Sequence, residues 1–305
     1  MEEIIVEQID DKILIIGLEM GKIVEFYEFD SKNMPISGNI YIGQITDVLP
    51  KTNTIFVDIG QEKSAFLQLD SLDKNYKKGD KIAVKVKRNA TNIKGAMLTN
   101  RFSSQEEEIV EKAIKTEKIG LIYDVSSVEN FVYLNLFSEK TSKVYINNQK
   151  IYFGFLKILS VGPQKGGLNV QYKNVDFLEE FGLRTEFSKV FDRKIWLKSG
   201  GYIVIDRTEA LTAIDVNSAK STKISNSLEE MALKVNEEAA VEVMKQIRLR
   251  NIGGIIVVDF INQVEESSKK AILNTLKNEK SKDRRTVEIA GFTKLGLVEI
   301  TRKKL

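Results

Sequence analysis

Between Tyr202 and Phe260 the chain reads strand, turn, strand, long helix, strand, and that order leaves few ways to fold. YIVID and ALTAID are short apolar runs on either side of a turn at Arg207 to Glu209, and ALTAID ends at Asp215. A polar loop leads to Ser227 and Glu230, which have the spacing of a capping box and open a helix running to about Arg250. Met231, Leu233, Val235, Ala239, Val243 and Ile247 supply its buried side, and Asn251 with Gly253-Gly254 stops it. IIVVDF follows, nearly continuous in apolar residues, as a strand covered on both faces is. Strand, helix and strand make a βαβ unit, whose strands are parallel and whose crossover is right-handed. The ends of ALTAID and IIVVD then emerge on one edge of the sheet, so Asp215 and Asp259 point into one crevice.

Two ionised carboxylates that close repel each other unless a cation lies between them or one is protonated. Magnesium takes one or two carboxylates and keeps several waters, and a metal-bound water can attack a phosphodiester in line. The rest of the composition points the same way, because the 305 residues include no histidine and no cysteine. That excludes thiol nucleophiles, Ser-His pairs, histidine acid–base chemistry and ordinary zinc sites. Carboxylate, lysine or tyrosine chemistry remains, or a hard cation held by oxygen: Mg2+ rather than zinc, with Mn2+ as a substitute. A plainer reading stays open, in which each Asp merely ends a strand and bonds to a backbone amide or a lysine. Asn217, in Asp-Val-Asn-Ser, is equally readable as a turn residue bonded to its own backbone. Asp206 and Glu209 are further candidates, although Asp206 falls at the far end of the preceding antiparallel strand and reads as structural. Arg248 and Arg250 offer charge to phosphate, or simply cap the helix C-terminus.

Upstream, residues 1–37 read as short strands separated by Asp10-Asp11 and Gly21, bounded by Pro35 and Gly38. From Asn39, closely spaced alternating strands suggest a small barrel of the OB type. Lys74 to Arg101 holds nine Lys or Arg against Asp80 alone, which is either a polyanion footprint or a solvated face. Between Gln105 and Lys118 the spacing predicts a helix with Ile109, Val110, Ala113 and Ile114 on its apolar face. Strands are expected at 119–125, 130–137 and 143–153, followed by the punctuating VGPQKGG. No apolar run is long enough to span a membrane, and the acidic, alternating N-terminus is unlike a signal peptide, so a cytoplasmic protein is expected.

WLKSGGYIVIDRTEALTAIDVNSAKST, IRLRNIGGIIVVDFI and the closing GLVEITRKKL together resemble the catalytic core of the ribonuclease E/G family. The resemblance implies an α+β multidomain fold: a DNase I-like α/β catalytic subdomain over 187–305, an RNase H-like scaffold split between 1–37 and 105–186, and an inserted OB-fold RNA-binding β-barrel over 38–104. It also implies that Asp215 and Asp259 bind magnesium, that Asn217 orients the site, and that the reaction is hydrolysis of single-stranded, often A/U-rich RNA to 5′-phosphate and 3′-hydroxyl ends. The resemblance implies a part in RNA processing or decay, and leaves open messenger RNA decay and ribosomal or transfer RNA maturation as the use. GNIYIGQITDVLPKTNTIFVDIGQEKSAFL resembles the family's OB-fold, and the likeness places Phe56 and Phe66 against RNA bases and Arg88 and Lys94 against phosphates. Alternation alone puts both phenylalanines inside the barrel.

The sequence departs from the family pattern in two places. The family's sensor for an RNA 5′-monophosphate has no counterpart where the chain passes from Lys94 through Arg101 into the helix at Gln105, and the Arg-Thr pairs at Arg184, Arg207 and Arg285 fall elsewhere. The family's zinc link lies past the position of Leu305, and without cysteine a zinc-linked dimer is not expected. A non-catalytic RNA-binding protein or ribosome-associated factor on the same fold is the alternative reading, and a deoxyribonuclease a third.

Overall fold

The computed structural model describes residues 1–30, 36–70, 76–90, 94–116, 119–161, 168–218 and 228–303; Pro35, Lys74, Ser227 and the punctuating residues 162–167 lie outside them. The chain opens with three antiparallel strands, β1 (Glu3–Ile9), β2 (Lys12–Glu19) and β3 (Lys22–Asp30). Their turns fall at Asp10-Asp11 and Met20-Gly21, where Asp10, Met20 and Gly21 take left-handed backbone angles of 52°, 48° and 71°. Two successive positive φ values match the twist of a tight hairpin.

β4 (Ile40–Leu49), β5 (Thr54–Asp58), β6 (Ala65–Gln68), β7 (Lys81–Arg88) and β8 (Met97–Thr99) come next. They lie in the order β5-β6-β8-β7-β4, and β4 pairs again with β5, which closes a five-stranded barrel of the OB-like kind. Ile45, Ile55, Val57, Leu67, Val84 and Val86 fill its interior. α1 (Ser104–Lys115) follows, opened by a capping box between Ser103 and Glu106. Val110 and Ala113 are buried, but Ile114 is 58% exposed, so the apolar face is narrower than expected. β9 (Gly120–Tyr123) returns to pair with β4.

The middle of the chain departs from its expected strands. Of residues 130–137 all but Phe137 are helical: α2 (Val128–Phe131) runs into a π-helical turn over Val132–Leu136. Of 143–153 only β10 (Lys143–Ile146) is a strand, and α3 (Gln149–Val161) starts three residues later. Val128, Phe131, Val132, Leu136, Ile151 and Phe155 recur three or four residues apart and enter one core. That helical period outweighs the β-branched and aromatic content that suggested strands. β11 (Asn169–Tyr172) completes a sheet in the order β11-β10-β1-β2-β3, so the first and middle parts of the chain share one sheet with the barrel inserted between them. α4 (Phe177–Glu180) and α5 (Arg184–Lys189) lie at its other face, where Phe177, Leu178 and Leu183 meet Ile5, Leu14 and Ile16.

The last part is a six-stranded sheet with two helices. Its elements are β12 (Lys194–Trp196), β13 (Tyr202–Arg207), β14 (Leu211–Asn217), α6 (Leu228–Leu249), β15 (Gly254–Asp259), α7 (Glu266–Lys280), β16 (Val287–Phe292) and β17 (Val298–Arg302). The order is β12-β13-β14-β15-β17-β16, with β14 and β15 parallel and joined through α6, as the βαβ pattern requires. α6 ends at Asn251, left-handed at φ 49°, with Ile252 N–H donating to Ile247 C=O at 2.8 Å in a Schellman closure. Both helices pack on one face, where Ala239, Val243 and Ile247 of α6 and Ile272 and Leu276 of α7 meet Ile203, Ile214, Ile256 and Ile300 of the strands. The opposite face is open. Ile255 is 52% exposed there, so β15 is not covered on both sides as its apolar run suggested. No described helix is long and apolar enough to cross a membrane.

Candidate active site

β14 and β15 run in register from Leu211 opposite Ile255 to Asp215 opposite Asp259. Neighbouring strands lie about 4.8 Å apart, so the two carboxylates rise side by side. Alternation along each strand, buried at Ile214 and Val258 and exposed at Asp215 and Asp259, puts both on the open face. They therefore stand on the sheet surface near its C-terminal edge, not in a crevice beyond it. Asn217, two residues further along β14, shares that face and donates from Nδ2 to Asp215 Oδ2 at 2.7 Å. Its side chain is thus committed to the carboxylate and not folded into a turn. Among the described residues, no Lys or Arg forms an ion pair with either aspartate.

Polar groups of α6 and of the segment after β15 fix the flanks of this row. Asn236, wholly buried, donates to Ile261 C=O at 2.7 Å and accepts from Ile261 N–H at 3.0 Å, two residues beyond Asp259. Gln263, 5% exposed, has its amide satisfied when it donates to Glu229 at 2.8 Å and accepts from Leu233 N–H at 3.1 Å. Glu229 in turn accepts from Glu265 N–H at 3.1 Å and Val264 N–H at 3.3 Å, and the first of these holds its carboxyl below the usual range. On the other flank, Glu238 accepts from Lys198 N–H at 2.5 Å and Ser199 N–H at 3.0 Å. Gly201 lies so close to β14 that a Cβ there would fall 2.8 Å from Asn217 C=O. The sequence reading missed Asn236 and Gln263. For Asn236 the available signal was an amide set in the apolar stripe of α6 beside Val235.

Other candidates are placed elsewhere. Asp206 pairs with Ala213 while Val204 pairs with Asp215, so Asp206 stands on the same face one pleat repeat back toward the turn, next to last in β13, at the far end as expected. Arg193 binds both its oxygens, at 2.5 and 2.7 Å, and holds it below the ordinary carboxylate range, so its role is structural as read. Glu209 lies at the opposite edge of the sheet, in a cleft with Arg207 and Asn251. α6 also ends at that edge, which keeps Arg248 and Arg250 away from the aspartates; Arg250 Nε donates to Gln246 at 2.7 Å.

On the barrel, the interior phase is Ile55, Val57, Ala65 and Leu67, so Phe56 and Phe66 face outward, half-buried. Every second residue is indeed inside, but the phase is opposite to the one that makes the phenylalanines core. Phe56 pairs with Phe66, Phe66 with Met97, and Met97 with Arg88, one lateral row that ends in an exposed cation. Lys94 is exposed just before β8.

Residues 61–305 match the model of the ribonuclease E/G family. The chain belongs to the ribonuclease E/G family. Ribonuclease G of Haemophilus influenzae is 27% identical over 376 aligned residues, covering 94% of this chain and 76% of that protein. Ribonuclease G of Escherichia coli K12 is 25% identical, covering 99% of this chain and 80% of that protein. Ribonuclease E of Buchnera aphidicola subsp. Schizaphis graminum is 26% identical over the whole chain, which spans only 40% of that protein. The alignments run longer than the chain, so these relatives carry internal stretches that this ribonuclease E/G member lacks. It is a compact form: β8 ends at Thr99 and α1 starts at Ser104, leaving no room between them for a sensor domain.

The residues present fit a magnesium ion. Two in-register carboxylates offer hard oxygen ligands, and Asn217 holds one of them in place. No group of three or more acidic residues gathers among the described residues, so an ion held here by these two carboxylates would keep several waters. Magnesium, which dehydrates reluctantly, accepts such a site; calcium takes six to eight oxygen ligands.

Proposed function

We propose that this protein is a magnesium-dependent endoribonuclease that hydrolyses single-stranded, A/U-rich RNA in the cytoplasm, in RNA processing or decay. The observation that carries this reading is Asp215 opposite Asp259 on an exposed sheet face, with Asn217 bonded to the first, in a chain whose relatives are named ribonucleases. Asp215 and Asp259 hold the ion, and Asn217 keeps the Asp215 carboxylate turned toward it. When bound, magnesium supplies a water acidic enough to act as nucleophile and offsets charge on the phosphate oxygens. Water oxygen bonds to phosphorus, the bond from phosphorus to O3′ breaks, and O3′ takes a proton, which leaves 5′-phosphate and 3′-hydroxyl ends. We read the six-stranded sheet with α6 and α7 as DNase I-like and the five-stranded sheet as RNase H-like.

A fluorogenic single-stranded RNA is expected to be cut in magnesium, left intact in EDTA, and cut again when manganese is added. Ligation-based end mapping should find 5′-phosphates. EDTA-resistant products, or 2′,3′-cyclic phosphate ends, rule the reading out. Matched DNA run in parallel tests the sugar preference.

The barrel grips the strand. Outward-facing Phe56 and Phe66 stack on unpaired bases whatever their identity, while Arg88 and Lys94 meet phosphates. Each stack contributes about 1–3 kcal/mol, so Phe56→Ala or Phe66→Ala should weaken RNA binding roughly 5- to 150-fold by fluorescence anisotropy. Arg88→Ala should flatten the slope of log K against log salt by about 0.7. Unaltered binding in all three variants removes the barrel from the interface.

A further inference from the structure

On the open face of the six-stranded sheet, strand register builds two parallel rows, one across β12, β13, β14 and β15 and the next across β12, β13 and β14. Lys194 pairs with Val204, Val204 with Asp215, and Asp215 with Asp259. In the next row Trp196 pairs with Tyr202, and Tyr202 with Asn217. Ile195 turns to the helix-covered core, so its neighbours Lys194 and Trp196 share the open face with the carboxylates.

Trp196 is the only tryptophan of the chain and is 63% exposed, so it contributes little to any core. Its ring meets Tyr202 edge to face, with centroids 5.3 Å apart and an interplanar angle of 62°. Lys194 Nζ sits between them, 4.0 Å from the Trp196 centroid and 3.7 Å from that of Tyr202. Such cation–π contacts hold the ammonium in place without neutralising it. Among the described residues Lys194 has no carboxylate partner. Two strand spacings separate it from Asp215, about 10 Å, a distance that a neighbouring nucleotide of a bound strand can span.

We propose that Lys194, Trp196 and Tyr202 form a nucleotide subsite beside the cleavage centre, the indole stacking on a base and the ammonium taking a phosphate of the same RNA strand. This rests on the reading of Asp215 and Asp259 as that centre. A polyanion suits the patch better than a protein does, because the patch carries an unneutralised cation in line with the carboxylates. β12 is also only three residues long, a poor edge for adding a strand from another chain. Stacking accepts any base, so the subsite positions the strand and does not read its sequence.

The single tryptophan allows a direct test on the full chain. Single-stranded RNA titrated in EDTA, where none is cut, is expected to quench Trp196 fluorescence saturably, with the same midpoint as anisotropy. Phe56→Ala should move that midpoint but keep the final amplitude. In magnesium, Trp196→Ala is expected to raise KM about tenfold, equivalent to ~1.4 kcal/mol, with a much smaller change in kcat. Trp196→Phe, which keeps an aromatic face, should recover most of the loss. RNA that saturates by anisotropy yet leaves the fluorescence unchanged overturns the subsite. So does quenching that follows protein concentration instead of RNA, which marks a contact between copies of the chain. Quenching by RNA without any EDTA-sensitive cleavage keeps the RNA contact and sinks the nuclease reading instead.

Discussion

Asp259→Asn is expected to slow RNA cleavage in saturating magnesium by about a thousandfold or more, while the affinity for RNA in EDTA changes little. The substitution keeps the shape of the side chain and one oxygen but removes the charge that a divalent ion needs. Lewis-acid stabilisation is worth several kcal/mol, and each 1.36 kcal/mol is tenfold in rate. Asp215→Asn should behave alike, with the added loss of the charged acceptor of Asn217 Nδ2. Asn217→Ala removes only an orienting bond, and about 10- to 100-fold is expected. Both aspartates are exposed, without an ion pair to any described residue, so thermal stability should hold in each variant. That separates a chemical loss from an unfolded enzyme. Unchanged cleavage in both Asp→Asn variants removes the proposed mechanism.

The largest expected loss of stability comes from the other end of the same sheet. Asp283, just beyond α7, and Arg302, at the end of β17, have side chains that are each 1% exposed and are joined by two hydrogen bonds of 2.8 and 3.1 Å. Arg302 also donates to Ile252 C=O at 3.1 Å and to Asn251 Oδ1 at 3.4 Å, tying the turn between α6 and β15 to the last strand. Asp283→Ala leaves a buried guanidinium without its counter-charge, which typically costs about 3–5 kcal/mol. A fall in Tm on the order of 10 °C is expected by calorimetry. Arg302 pairs with Gly254 at the start of β15, away from Asp259 at its end, so kcat at low temperature should survive. Asp283→Leu combined with Arg302→Met, which removes both charges, should recover much of the loss. An Asp283→Ala protein as stable as the parent shows that the pair does not hold the sheet.

Read alone, the chain determines its local periods and therefore several of its elements. The turns at Asp10-Asp11 and Met20-Gly21, the closely spaced barrel strands, the helix stopped at Asn251 and the βαβ unit follow from residues near one another in sequence. Two parallel strands joined by one crossover, each with an aspartate near its C-terminal end, leave Asp215 and Asp259 little choice but to meet. Tertiary structure decided the rest, because whether a face is covered depends on elements that arrive from elsewhere in the chain. Residues 128–136 and 149–161 became helices since both had to fill one core with β1 and β2. Phe56 and Phe66 were turned outward by the aliphatic residues alternating with them, β15 was left open on the face that no described helix covers, and Asn236 met Ile261 across 25 residues. Hydrophobic alternation specifies that one side of a strand is buried; only the closed barrel and the packed helices specify which side.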